Sequence, residues 1–162
     1  IYEGTNGIQA IDLVMRKLPI GDGAAFAAWI AELRADVERV RASNDPALTA
    51  IGGRLDEAIG DMEAAATWLG ETRAEGRVAE ALAGATPFLR LCGLTAGGVA
   101  LAKGALLSTQ DPASAASPSA ARRALVARYF AANPLTATAS LRREIEAGGD
   151  VVASAAPALL AS

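Results

Sequence analysis

A short segment at the start of the sequence carries the residue types best suited to chemistry. Glu3 supplies a carboxylate, and Gly4-Thr5-Asn6-Gly7 follows it directly, just before a helical pattern begins. One interpretation is structural: a loop runs into a capped helix, and Glu3 favours the positive end of the helix dipole. The other is functional: a carboxylate stands on a turn whose glycines let a ligand approach the backbone, and the adjacent helix start receives a phosphate. Taken by themselves, the residues favour the structural interpretation, and the functional one stays open.

The composition argues against several other kinds of site. The 162 residues include no histidine, which removes the usual general base near neutral pH and the commonest metal ligand. The single cysteine, Cys92, cannot form an internal disulfide or a thiolate cluster, and its apolar neighbours indicate a buried, unreactive thiol. We therefore expect no metal site, and one cysteine fits a reducing cytoplasm. The net charge of −3, without a basic stripe, gives no support for nucleic-acid binding.

Helical periodicity runs through most of the chain. Apolar residues recur at helical spacing, and no alternating run is long enough for a strand. Hydrophobic residues make up 52% of the sequence but aromatic residues only 4%, so the core must be built from small side chains, which suits closely packed helices. The sequence therefore predicts an all-α fold, an antiparallel helical bundle with short loops.

Local signals predict where the first helices begin and end. Thr5 and Asn6 are candidate N-caps of the first helix, Pro19 and Gly21 end it, and Asp22 is expected to cap the second. The charged face of the second helix is expected to be an ordinary solvated surface; it carries Glu32, Arg34, Asp36, Glu38, Arg39 and Arg41.

Further along the chain, Asn44-Asp45-Pro46 predicts a restart, with Asp45 as N-cap and Pro46 at the first position of a long helix. A later helix is expected to kink near Pro87 and to run to about Leu107. Its apolar part, residues 81–107, is too interrupted by charges, proline and glycines for a membrane span and is predicted to be a buried helix or helical hairpin.

The last third of the sequence begins with a stretch rich in Ser, Ala and Pro, residues 108–119, which predicts a linker. The helix after it is expected to run to Ala132, and its apolar side is predicted to hold Leu125, Val126, Tyr129 and Phe130. Gly148-Gly149 is expected to end the next helix, before a last short one.

Two sets of motifs resemble one enzyme family. Tyr2-Glu3-Gly4-Thr5 followed by Ile8-Gln9 is similar to the signature of acyl-CoA dehydrogenases, where this glutamate lies near the end of the catalytic domain. The segments Thr86–Leu91 (with Gly93) and Ala127–Phe130 look like the extra helical domain of a long bacterial subgroup, which includes 3-methylmercaptopropionyl-CoA dehydrogenases.

The resemblance implies α,β-dehydrogenation of an acyl-CoA thioester, with FAD as cofactor and a place in fatty acid metabolism. Glu3 matches the base that removes the α proton, and Gly4 matches the residue that leaves room for the substrate. Thr5, Asn6 and Gly7 match the stretch that touches FAD, although the commoner sequence there is Thr-Ser-Gln. An electron-transfer flavoprotein is the implied electron acceptor, and a homo-oligomer is the expected assembly.

The same resemblance divides the chain. Residues 1–20 correspond to the end of the catalytic helical domain, and residues 21–162 to the appended helical domain. On this interpretation the chain is a C-terminal fragment, and it should be inactive alone because most of the flavin pocket lies elsewhere. The alternative is a helical oligomerisation or interaction module without catalysis, motivated by glycine- and alanine-rich surfaces that suit close helix contacts.

Overall fold

The computed structural model describes residues 4–110 and 117–160, and within these ranges every regular element is a helix. For residues 153 and 156–160 it describes the backbone alone. The elements are α1 (Gly4–Asp12), a π-helical turn (Leu13–Lys17), α2 (Ala24–Arg41), α3 (Pro46–Ala74), α4 (Val78–Ala83), α5 (Ala85–Gln110), α6 (Pro118–Ala132), a 3-10 turn (Pro134–Ala137) and α7 (Thr138–Leu160). The predicted all-α helical bundle is confirmed.

The helices α3 and α5 form the centre of the bundle. Each packs against the other and also against α2, α4, α6 and α7. Their inner faces supply most of the fully buried large side chains: Leu48, Leu55, Ile59, Met62 and Leu69 from α3, with Phe88 and Leu91 from α5. Burial of one such side chain contributes roughly 1.5–3 kcal/mol, so this pair holds the fold together.

The start of α3 follows the sequence closely. The Asp45 carboxylate accepts a hydrogen bond from the backbone N–H of Ala47 at 2.8 Å, and Pro46 occupies the first helical position. Because proline has no N–H, it costs little in the first turn, where the N–H groups lack helical partners. Both predictions for this restart are confirmed.

Two predicted caps are wrong. Thr5 and Asn6 lie inside α1, which the structure already describes as helix from Gly4. The N-cap of α2 is Gly23 rather than Asp22, and no side chain caps this helix. Gly21, Asp22 and Gly23 all adopt positive φ (60°, 54° and 89°), so the chain enters α2 through a left-handed turn that glycine favours.

The break before α5 also differs from its prediction. The helix axis is interrupted at Gly84, between α4 and α5, and not at Pro87. Pro87 is the third residue of α5, where it disturbs no intrahelical hydrogen bond. A proline thus marks the first turn of a new helix here rather than a kink within an old one.

The prediction that Gly148-Gly149 ends a helix is wrong, because α7 runs through both residues. A Cβ added at Gly149 would lie 2.9 Å from Glu80 Cβ and 3.0 Å from its Cα. Here glycine lets α7 approach the backbone of α4 closely. The two predicted helices, one on each side of the pair, are therefore a single helix.

The four residues predicted to share one side of α6 are divided between solvent and core. Ala120, Ala127 and Ala131 are the buried residues, whereas Leu125, Val126 and Tyr129 face solvent. Phe130 alone of the predicted set packs on the core, where it lies over Gly97 and Gly98 of α5. The side of α6 that faces the core therefore consists of alanines with Phe130.

In the part of the chain that the structure describes, α5 is the one helix long and apolar enough to cross a membrane. Half of its most apolar window is buried inside the bundle, which is typical of a core helix. The helix extends to Gln110, into the predicted linker, and Ser117 caps α6 through a hydrogen bond from Ala120 N–H at 3.1 Å. The middle of that linker, residues 111–116, lies outside the described residues.

Candidate functional site

The predicted site residues occupy the first turns of α1. Gly4, Thr5 and Asn6 are exposed, and Gly7 is half-buried. Glu3, the predicted base, lies outside the described residues together with Ile1 and Tyr2. The structure thus places the four residues predicted to contact substrate and cofactor on one helix start.

The rest of α1 is anchored in the bundle and fixes this helix start. Ala10, Val14 and Leu18 are buried at intervals of four residues, and α1 packs against α5. The π-helical turn keeps these three on one side, and the Leu18 N–H donates to the Leu13 carbonyl at 2.8 Å. Isolated π turns inside α-helices occur often at functional sites. The candidate site therefore stands on a rigid element.

The space around the helix start is open. Among the described residues, no atom would lie within 4 Å of a Cβ added at Gly4 or Gly7. The side chains of Thr5 and Asn6 are exposed. These polar side chains and the adjacent glycines suit one edge of a ligand site, and further elements would have to enclose the ligand.

An apolar strip continues the same helix. Ile8 is 65% exposed and Ile11 47%, one helical turn apart. Neither side chain contributes to the core of the described residues, which Ala10 and Val14 enter instead. In this chain, α1 thus presents a polar glycine-containing start and an apolar outer face side by side.

A separate groove of about 770 Å³ lies between two parts of the chain. One is the first half of α2 with the turn before it, and the other is the second half of α3. Its apolar floor includes Leu18, Phe26 and Ile30, and its lining contains none of the residues 4–7. We call it the α2–α3 groove. It is separate from the predicted catalytic segment.

The charged face of α2 is not the plain solvated surface that the sequence predicts. The Arg34 guanidinium donates to Asp56 of α3 at 2.7 Å and also to Glu63. The Glu63 hydrogen bond, with help from Asp56, raises the pKa of Arg34. Both partners of Arg34 lie on α3. The spacing of residues on α2 shows which of them share a face, but it does not show which residues of another helix lie opposite.

Asp36 makes a second cross-helix contact, accepting from Lys103 of α5 at 3.0 Å. Partial burial by itself would raise the pKa of the Asp36 carboxyl, but hydrogen bonds from Lys103 and Arg39 outweigh it and hold the pKa below its usual value. Asp36 is therefore a structural carboxylate that stays ionised, and not a proton-transfer group.

Cys92 is confirmed as a buried thiol. Burial raises its pKa to about 12, so the thiolate required for nucleophilic attack does not form near neutral pH. Within the two described ranges, no three His, Cys, Asp or Glu residues come close enough together to hold a metal ion. The charged groups described above thus connect helices, and residues 4–7 of α1 remain the described residues for which a chemical role is predicted.

The outer face of α6 was missed as a candidate surface. Leu125 and Tyr129 are 64% and 63% exposed, whereas the sequence predicts only that they share one side of the helix. A signal was available in the sequence, since the same helix has an alanine at each of positions 120, 127 and 131, which together form a second face of small residues.

Within the described residues the chain is an all-α helical bundle. A family model described as "Acetyl-CoA dehydrogenase C-terminal like" matches residues 27–156. The chain belongs to this family, and it therefore contains a C-terminal acyl-CoA dehydrogenase-like region. No curated protein and no solved structure matches the chain. Because the matched range begins after α1, it does not include Glu3 or residues 4–7.

Proposed function

We propose that this chain is the C-terminal helical part of a flavin-dependent acyl-CoA dehydrogenase. The observation that carries the proposal is the family match over residues 27–156, with the Tyr2-Glu3-Gly4-Thr5 motif earlier in the same chain. The division into residues 1–20, from the catalytic domain, and 21–162, from the appended domain, is part of the same proposal.

Glu3 acts in this proposal as the base that takes the α proton of the acyl thioester. An α C–H beside a thioester is a weak acid, so the carboxylate must be fixed in contact with it, at roughly 3–3.5 Å. An apolar acyl chain against the carboxylate would raise its pKa and make it a stronger base. The α proton passes to Glu3 while the β hydrogen leaves as hydride, and an α,β double bond forms.

Residues 4–7 are proposed to form one edge of the site. Gly4 would leave room for the substrate, since no atom of the described residues lies within 4 Å of a Cβ built there. Thr5, Asn6 and Gly7 would hold FAD, through the exposed side chains of Thr5 and Asn6 and the backbone at Gly7. When bound, FAD supplies the hydride acceptor. The chain alone is proposed to be inactive, because this edge does not enclose a cofactor.

The proposed partners follow from the family. They are an acyl-CoA substrate, an electron-transfer flavoprotein as acceptor, and further copies of the same subunit in a homo-oligomer. We also propose the long subgroup that includes 3-methylmercaptopropionyl-CoA dehydrogenases, a role in fatty acid metabolism, and a cytoplasmic location.

The alternative, a helical interaction module, has one specific observation in its favour. Two of the glycines that motivate this alternative form contacts within the chain: Gly98 packs against Leu55, and Gly149 packs against Glu80. The exposed apolar face of α6 is not used in this way. An assembly role of that face is compatible with catalysis elsewhere in the same enzyme.

Proton exchange tests the role of Glu3. The full-length enzyme that carries this chain is incubated with an acyl-CoA in D2O under anaerobic conditions, and NMR follows exchange of the α protons. We expect Glu3→Gln to slow this exchange about a hundredfold or more, because the base is removed while the flavin stays bound.

The matched control is Glu32→Gln, which alters an exposed carboxylate of α2. This variant should exchange at the wild-type rate. Wild-type exchange by the Glu3→Gln enzyme would overturn the assignment of the base.

A further inference from the structure

The outer face of α6 presents large apolar side chains to solvent. Leu125, Val126 and Tyr129 are 64%, 47% and 63% exposed, and with Arg122 they follow the spacing i, i+3, i+4, i+7. Residues at this spacing lie on one side of a helix, in the pattern by which an amphipathic helix enters a groove. The helix α6 therefore buries small side chains and exposes large apolar ones, which is the reverse of an ordinary surface helix.

The charge of this face has one sign. The sequence of α6 contains Arg122, Arg123 and Arg128 and no acidic residue. Arg123 donates to the Ser108 hydroxyl at 3.0 Å. Arg122 and Arg128 take part in none of the ion pairs among the described residues. A partner for α6 should thus offer an apolar groove with an acidic rim.

The α2–α3 groove of the same chain has this chemistry. Its lining is apolar at Leu18, Phe26 and Ile30. Glu63 of the lining is paired with Arg34 of α2, so Asp22 and Glu71, against Arg73, give the rim its net negative charge. No residue of α6 or α5 lines it. The face and the groove are consequently two separate surfaces of one molecule, with opposite charge and matching apolar character.

We infer that α6 of one copy docks in the α2–α3 groove of a second copy. This inference rests on the homo-oligomer proposed above and names the surfaces that form it. In a two-fold dimer the contact would occur twice, once from each copy, and the interface would be closed. Complementary charge on the rims would steer the two copies together and make the association depend on salt.

The first test is the mass of the chain in solution by sedimentation equilibrium over a range of protein concentrations. We expect dimers at low salt that dissociate as salt is raised. Leu125→Ser combined with Tyr129→Ser should raise the dimer dissociation constant at least about tenfold, because exposed apolar anchors carry most of such an interface. The control is Val151→Ser, which alters an equally exposed apolar residue on α7 and should leave the constant unchanged.

Charge reversal tests the pairing of the two surfaces. Arg128→Glu and Glu71→Arg should each weaken the dimer, and the two changes together in one chain should restore part of the lost affinity. Both residues are exposed, so neither change should disturb folding. Loss in the single variants with no recovery in the double variant would contradict this docking.

Disulfide trapping tests the geometry, since the natural thiol of Cys92 is buried. A chain with both Ala27→Cys, in the groove, and Val126→Cys, on α6, should form a covalent dimer under mild oxidation. A chain with Val126→Cys and Ala79→Cys, an exposed position on α4, should not. Equal trapping by Val126→Cys alone would show contact between two α6 helices and would overturn the proposal.

Three other outcomes would also overturn it. If the chain is monomeric at all concentrations, α6 does not dock in the α2–α3 groove, and these surfaces do not form a homo-oligomer. Dimers unaffected by the α6 substitutions would keep a homo-oligomer but exclude α6 from it. A monomer that binds anionic lipid vesicles through Leu125 and Tyr129 would assign the face to a membrane surface instead.

Discussion

Asp36 shows how a single carboxylate ties two helices of this bundle together. It lies on α2 and pairs with Lys103 of α5 and with Arg39 of its own helix. Because these contacts favour the charged form, the pKa of Asp36 in the folded chain is below its ordinary value of 3.8. The folded state therefore gains stability from Asp36 above pH 3.8 and loses it as the pH falls through the lower, folded-state pKa.

We expect Asp36→Asn to reduce the free energy of unfolding by about 1 kcal/mol near neutral pH, since solvent screens the exposed ends of Lys103 and Arg39. The difference between the variant and the wild type should shrink as the pH is lowered below 3.8. Urea unfolding at several pH values measures it. A difference that stays constant down to acid pH would contradict the ion-pair explanation.

Cys92 gives a second prediction at this scale. With its pKa raised to about 12 by burial, the thiol should resist alkylation at pH 8 in the folded chain and react readily once the chain is unfolded in urea. Mass spectrometry after a timed reaction measures the labelled fraction. Rapid labelling without denaturant would show that the packing around α5 opens far more easily than the buried core indicates.

Neighbouring glycines in α7 have different roles, and a matched pair of variants separates them. Gly149 faces the backbone of Glu80, so Gly149→Ala must push α7 away from α4 and should cost about 1–3 kcal/mol. Among the described residues no atom lies within 4 Å of a Cβ built at Gly148, so Gly148→Ala should stabilise the helix by about 0.5–1 kcal/mol. Shifts of the urea midpoint in opposite directions are the expected result; the same shift for both would contradict it.

These glycines also show why some helices were predicted well and others were not. The cap at Asp45-Pro46 is a contact within a few residues, so the sequence contains all of it. Within α7, Gly149 packs closely against Glu80 of α4, which lies far away in sequence. Judged from the local sequence alone, the two glycines indicate the end of a helix. In the structure, Gly149 is instead the position where α7 contacts α4.

The same difference between local and long-range contacts explains which helix faces were predictable. The buried stripe of α3 was predictable because its large apolar residues point to the core from one side. In α6 the buried side consists of alanines with Phe130, which packs over Gly97 and Gly98 of α5, and the sequence of α6 alone does not show this contact. Cross-helix ion pairs such as Arg34 with Asp56 likewise cannot be read from the spacing on one helix.

At the scale of the whole molecule, α3 and α5 form the centre of the bundle, and the candidate site residues 4–7 lie in α1. The residues of that site were found through a short motif, and the structure adds that residues 4–7 are helical, largely exposed and open. The geometry of the base was not predictable from this chain, because a catalytic carboxylate acquires its position and its pKa from the groups that enclose it.

The central claim is that this chain completes a flavin enzyme in which Glu3 is the base. Its most direct test is the visible flavin absorption of the full-length enzyme, recorded anaerobically before and after an acyl-CoA is added. We expect the wild type to be yellow and to bleach, and the Glu3→Gln variant to be equally yellow but not to bleach. A colourless full-length protein, or a variant that bleaches at the wild-type rate, would contradict the claim.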